Sequence, residues 1–122
     1  GNETILVVDD EKPLAELAQH LLQAKGYSVY VAENAQQALL LLEDFSNDIH
    51  LLLSDIIMPE INGFELAKNV SNLYPHINIL LASGFRDDSQ CNDYEGVIID
   101  KPYDSFTLLS NVRQSLDSIK SQ

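Results

Sequence analysis

Short apolar runs alternate along this chain with stretches whose apolar residues recur at helical spacing. Ile5-Leu6-Val7-Val8 is a continuous apolar run, as expected for a strand buried on both faces. Leu14, Leu17, Ala18, Leu21 and Leu22 then fall at i, i+3, i+4, i+7 and i+8, one face of a helix. Pro13 suits the first turn of that helix and Gly26 its C′ position. Val29-Tyr30-Val31 reads as a second strand, and Asn34 as the cap of a helix faced by Ala35, Ala38, Leu39 and Leu42. Ile49 to Leu53 predicts a third strand. Leu66, Ala67, Val70, Leu73 and Tyr74 line a third helix, ended by Pro75. Ile77 to Leu81 and Val97-Ile98-Ile99 predict strands four and five. Leu109, Val112, Leu116 and Ile119 line a last helix with Asp104 at its N-cap. Between the last two strands, the polar segment Gly84 to Gly96 supports at most a short or frayed helix.

Strict alternation of strand and helix implies right-handed crossovers and a parallel sheet with helices on both faces, an α/β doubly wound domain. In its flavodoxin-like form the five strands take the order 2-1-3-4-5, and ligands bind beyond the carboxyl ends of the strands where that order reverses. Residues 1–122 predict a single domain with a core of about 4–119.

Composition narrows the function. With 122 residues, 45% of them hydrophobic, the chain can bury one core, and a second domain would not fit. Nineteen acids against seven bases give a formal net charge of -12, which argues against direct nucleic-acid binding and suits a cation or a basic partner. Cys91 is the single cysteine, so no internal disulfide can form, which fits a reducing, cytoplasmic setting. No apolar run approaches the ~20 residues of a membrane span. The start, Gly1-Asn2-Glu3-Thr4, does not read as a signal peptide, and without an initiator Met the sequence reads as a piece of a longer protein. His20, His50 and His76 lack metal-ligand spacing and read as structural or surface residues.

The chemistry sits at the expected strand ends. Strand one runs into Asp9-Asp10-Glu11, strand three into Asp55, strand four into Ser83-Gly84 and strand five into Lys101-Pro102. If strands one and three are neighbours, Asp9, Asp10 and Asp55 converge in one crevice. Two unit charges at 4 Å repel by about 4 kcal/mol at an effective dielectric of 20. Lys101 relieves part of this. A hard divalent cation relieves more, and Mg²⁺ accepts one or two carboxylates together with waters and phosphate oxygens. A phosphoryl group could then approach a carboxylate nucleophile, with Ser83 and Lys101 placed to meet its oxygens. Taken singly, each residue has a plainer role: Asp10 or Glu11 as a helix cap, Asp55 and Ser83-Gly84 as turn residues, Lys101 as a solvated lysine. Their joint position at strand ends favours the shared site.

These residues, quoted as Ile5-Leu6-Val7-Val8-Asp9-Asp10-Glu11, Ser54-Asp55-Ile56-Ile57-Met58-Pro59 with Gly63, Ala82-Ser83-Gly84 and Lys101-Pro102-Tyr103, resemble the receiver domain of two-component response regulators from Thr4 to Ile119. The resemblance implies that Asp55 is the phosphorylated aspartate, Asp10 a direct Mg²⁺ ligand, and Asp9 an acid holding the metal largely through water. It also implies a third ligand in the Ile57 backbone carbonyl, Ser83 as the hydroxyl that follows the phosphoryl group, and Lys101 as its lysine contact. The donor would be a phosphohistidine on a histidine kinase or phosphotransfer domain, and the domain would catalyse only its own phosphorylation and dephosphorylation. Ser83-Gly84-Phe85 and Lys101-Pro102-Tyr103 are similar to receivers fused to sensor kinases, so a fused kinase or output domain is expected.

Two features depart from the family pattern. Ile98 stands where an aromatic usually reports activation, and the Gly84–Gly96 segment is short, so a weak or rerouted output is expected. Ile57 and Phe85, at the rim positions, cannot orient or deprotonate a water, which predicts slow hydrolysis of the phosphorylated state. Two rival functions differ in their needs. A Mg²⁺-dependent phosphatase with an aspartate nucleophile commonly wants a second acid two residues on, where this chain has Ile57. A receiver-like module acting without phosphorylation predicts a broken acid set, and here the set is complete.

Overall fold

The computed structural model describes residues 2–56, 61–83, 97–100 and 104–117. Its elements are β1 (Thr4–Val8), α1 (Lys12–Gln23), β2 (Ser28–Ala32), α2 (Ala35–Phe45), β3 (Leu51–Asp55), α3 (Gly63–Leu73), β4 (Asn78–Ser83), β5 (Val97–Asp100) and α4 (Ser105–Asp117). The strands form one parallel sheet in the order β2-β1-β3-β4-β5, as the alternation predicts. Ile57, the Gly84–Gly96 segment with Phe85 and Cys91, Lys101-Pro102-Tyr103 and Ile119 lie outside the described residues.

The continuous apolar runs sort by parity. Ile5, Val7, Leu51, Leu53 and Leu80 point to one face, where they meet Ala15, Ala18 and Leu22 of α1 and Leu108 and Val112 of α4. Leu6, Val8 and Leu52 point to the other, against Ala35, Ala38 and Leu42 of α2 and Leu66 and Val70 of α3. A smaller cluster of Ile56, Ala67 and Leu81 lies under β4 and β5, and half-buried Ile98 packs against it with Phe64 and Ile79. Each fully buried aliphatic side chain contributes about 1.5–3 kcal/mol, so these two layers dominate the energetics.

Helix ends follow local chemistry. Asn34 Oδ1 accepts from the Gln37 N–H at 2.8 Å and Asp104 Oδ1 from the Thr107 N–H at 2.7 Å, the two caps expected. Asn62, a cap the sequence pattern did not single out, accepts from the Glu65 N–H at 2.9 Å. Pro13 lies in the first turn of α1. Gly26 sits one place beyond C′, at φ 93°, a conformation open to glycine and costly for other residues. The helix faces rotate slightly from expectation. Leu17 is 40% exposed and Leu73 62% exposed, while Ala15 and Leu108 take core positions. Ala15 and Leu108 are buried in the core cluster, with Leu109 only partly buried against it.

At the amino ends of the strands, α4 is tied to the rest of the fold. The Arg113 guanidinium donates to both Glu3 carboxylate oxygens, at 2.7 and 3.2 Å, to the Tyr27 hydroxyl at 3.2 Å and to Asp117 at 2.8 Å. This pairing lowers the Glu3 carboxyl from 4.5 to about 2, chiefly through the Arg113 hydrogen bonds, and raises Arg113. His50 and Thr4 exchange two bonds: the His50 N–H donates to the Thr4 carbonyl at 2.8 Å, and the Thr4 N–H donates to His50 Nδ1 at 3.0 Å. His76 Nε2 lies 2.7 Å from the Ser46 carbonyl. Both rings serve the fold, in keeping with their spacing.

Candidate functional site

The site is built where β1 and β3 end side by side. Their register pairs Val8 with Ser54, so Asp9 and Asp55 emerge next to each other at the carboxyl edge. Asp55 is the last residue of β3 and Ser83 the last of β4. Asp9, Asp55 and Ser83 are all buried, at 5%, 6% and 3% exposure, which is unusual for the two carboxylates.

Asp9 also shapes the turn that follows it. Its Oδ1 accepts from the Glu11 N–H at 2.8 Å, and its own N–H donates to the Ala32 carbonyl at 3.1 Å. The Asp9–Glu11 tripeptide thereby folds over the strand ends before α1 begins. Glu11 occupies the N-cap position of α1 with no side-chain capping bond. One carboxylate oxygen from each of Asp9, Asp10, Glu11 and Asp55 lies within 4.8 Å of the others. Asp10 and Glu11 are exposed, Asp9 and Asp55 buried. Glu11 is the member the sequence reading did not assign to the site. Its signal was present in the unbroken Asp-Asp-Glu run, because a turn that gathers two of those side chains brings in the third.

The donor set is entirely carboxylate oxygen, which suits a hard divalent cation. Charges this close repel by roughly 3–4 kcal/mol per pair at an effective dielectric of 20, a load that a cation such as Mg²⁺ would relieve while keeping several waters. Asp9 and Asp55 are buried while Asp10 and Glu11 are exposed, so the cluster reaches solvent on the side of the turn. Among the described residues, Asp9, Asp10 and Asp55 lie together, and Ser83 ends β4, the strand beside β3. Ile57 and Lys101, expected beside them, fall outside the described residues, Lys101 directly after β5 in the chain.

Residues 5–113 match the response regulator receiver domain family. Sensor kinase CckA of Brucella abortus (strain 2308) is 27% identical over 121 residues, 96% of this chain and 13% of that protein. The transcriptional regulatory protein CpxR of Klebsiella pneumoniae (strain HS11286) is 34% identical over 119 residues, 92% of this chain and 48% of that protein. The chain thus spans less than half of either relative. Among solved structures, the receiver domain from the hybrid histidine kinase CckA superposes with a TM-score of 0.81 at 33% identity, covering 93% of this chain and 99% of that one. A CheY-like response regulator receiver domain protein from Methanospirillum hungatei JF-1 gives 0.86 at 26% identity, covering 96% and 95%.

Proposed function

The chain belongs to the response regulator receiver domain family of two-component signalling, and from that premise we propose that it takes a phosphoryl group from phosphohistidine onto Asp55 in a Mg²⁺-dependent reaction. The observation that carries this reading is the gathering of four carboxylates within 4.8 Å at the ends of two adjacent strands. A buried carboxylate at a strand end, fixed by the sheet, is a nucleophile held in one place.

In the proposed step an Asp55 carboxylate oxygen attacks phosphorus and the phosphorus–nitrogen bond to the donor imidazole breaks. The electron pair returns to that nitrogen. Asp10 would hold the metal directly, Asp9 largely through water, with Asp55 and the Ile57 carbonyl completing the protein ligands. Glu11 adds negative charge at the same rim. Bound Mg²⁺ would supply positive charge against both the acids and the phosphoryl oxygens. The Ser83 hydroxyl would donate to one phosphoryl oxygen and Lys101 would meet another. The domain acts on no separate substrate; its chemistry is its own phosphorylation and the loss of that group. The partner is a histidine kinase or a histidine phosphotransfer domain. The likeness to the CckA receiver supports attachment to a hybrid kinase.

Incubation with acetyl phosphate and Mg²⁺, read by intact-mass spectrometry, tests this. The wild type is expected to gain one phosphoryl group, chelation of Mg²⁺ to suppress the gain, and Asp55→Asn to abolish it. Undiminished labelling of Asp55→Asn overturns the assignment.

A further inference from the structure

The backbone that carries Asp55 is gripped on several sides. The Asp55 carbonyl oxygen accepts from the Ser54 hydroxyl at 2.9 Å. The next N–H, that of Ile56, donates to the Ala82 carbonyl at 3.0 Å, and the Ile56 carbonyl accepts from the Gly63 N–H at 2.7 Å. Gly63 lies flat against this peptide. A Cβ there would overlap the Asp55 carbonyl oxygen and stand 2.8 Å from Ile56 Cα and 3.1 Å from the Asp55 carbonyl carbon. All three are backbone atoms, which cannot turn aside as the tip of a side chain can.

From this geometry we infer that Ser54 and Gly63 are positioning residues for Asp55, setting where its carboxylate stands; the inference rests on Asp55 being the acceptor. Ser54 is fully buried, and an apolar residue would fill such a place without the desolvation of a hydroxyl. The hydroxyl is spent on the carbonyl of the acceptor residue itself. Gly63 opens α3, and its neighbour Asn62 caps that helix. The start of α3 and the acceptor peptide are therefore joined by a hydrogen bond and a close backbone contact. Any side chain at 63 must push the helix away or tilt the Asp55 peptide, and either shifts the carboxylate relative to Asp9 and Asp10.

Rates of labelling by acetyl phosphate at saturating Mg²⁺ separate positioning from mere stability. Gly63→Ala is expected to label more slowly by on the order of 10–10²-fold, the scale of a misplaced reacting group. Ser54→Ala is expected to slow several-fold, and Ser54→Thr, which restores the hydroxyl, to recover most of the rate. Val70→Ala truncates a buried residue of the same helix away from the acceptor. It is expected to lower the unfolding temperature and leave the rate unchanged. The inference is overturned if Gly63→Ala labels at the wild-type rate or is slowed no more than Val70→Ala. It is also overturned if Ser54→Thr is as slow as Ser54→Ala, an arm that decides the matter should Gly63→Ala fail to fold. Absence of wild-type labelling at Asp55 would instead bring down the acceptor reading, and this inference with it.

Discussion

The two ends of the sheet treat charge in opposite ways. At the amino ends, acid and base are matched: Arg113 binds Glu3, Asp117 and the Tyr27 hydroxyl, fastening α4 to the start of β1 and to the segment before β2. At the carboxyl ends, Asp9, Asp10, Glu11 and Asp55 are crowded into one span of 4.8 Å, with two of them buried. Placing opposite charges together holds a fold. Placing like charges together strains it and stores an affinity for whatever brings positive charge. The first arrangement is a fastener, and under the proposed function the second would be a cation receptor.

Opposite signs of mutational effect sharpen this contrast. The largest effect is expected with the metal. Mg²⁺ at about a hundred times its Kd should raise wild-type unfolding free energy by about 2.7 kcal/mol, and Asp10→Asn should lose most of that gain in urea titrations. The same variant in a chelator should be more stable than wild type by about 1 kcal/mol, because one member of a repelling group is gone. A less stable Asp10→Asn would break the comparison at this end.

Arg113→Met should move stability the other way. It keeps the aliphatic stem and removes the contacts to Glu3, Tyr27 and Asp117. With the Arg113 side chain 40% exposed, solvent screening holds the expected loss to about 1 kcal/mol. Equal stability of Arg113→Met and wild type in denaturant titrations would show that the fastener contributes nothing.

The smallest effect is in the pH dependence. The Glu3 carboxyl is lowered from 4.5 to about 2 in the fold. A lowered carboxyl binds fewer protons folded than unfolded, so its contribution is fully present above about pH 4.5 and fades as pH falls toward 2. The stability difference between wild type and Glu3→Gln, a few tenths of a kcal/mol after screening, should therefore shrink across that window. A difference that persists unchanged at pH 2 would assign it to shape rather than charge.

The sheet and its helices were legible because alternating apolar runs and helical faces are written in consecutive residues. Strand limits were less so. Ile49 to Leu53 predicted β3, but the ladder runs from Leu51 to Asp55; Ile77 to Leu81 predicted β4, which runs from Asn78 to Ser83. Hydrophobicity reports burial, and Ile49 and Ile77 are buried while preceding their strands. Backbone pairing continues through Ser54, Asp55 and Ser83 because the neighbouring strand supplies partners whatever the side chain is. The acid pair was visible as charges placed just after apolar runs. The close seat of Gly63 against Asp55 was not, since it depends on how a loop returns to its origin, and no periodic signal marks that.

The parity of β1 and β3 has a consequence for folding. Ile5 to Val8 and Leu51 to Leu53 are apolar on both faces, so sliding one strand past the other by a residue would still present oil to oil. Hydrophobicity alone leaves this pairing nearly indifferent to alignment. The termini of the strands remove the indifference. A one-residue slip that draws Asp9 alongside Ser54 or Asp55 alongside Val8 would pull a carboxylate inward from the sheet edge, and it would part the Thr4 and His50 exchange at the opposite end. The acids gathered at the strand ends thus also act as end-stops, telling two interchangeable strands where to halt.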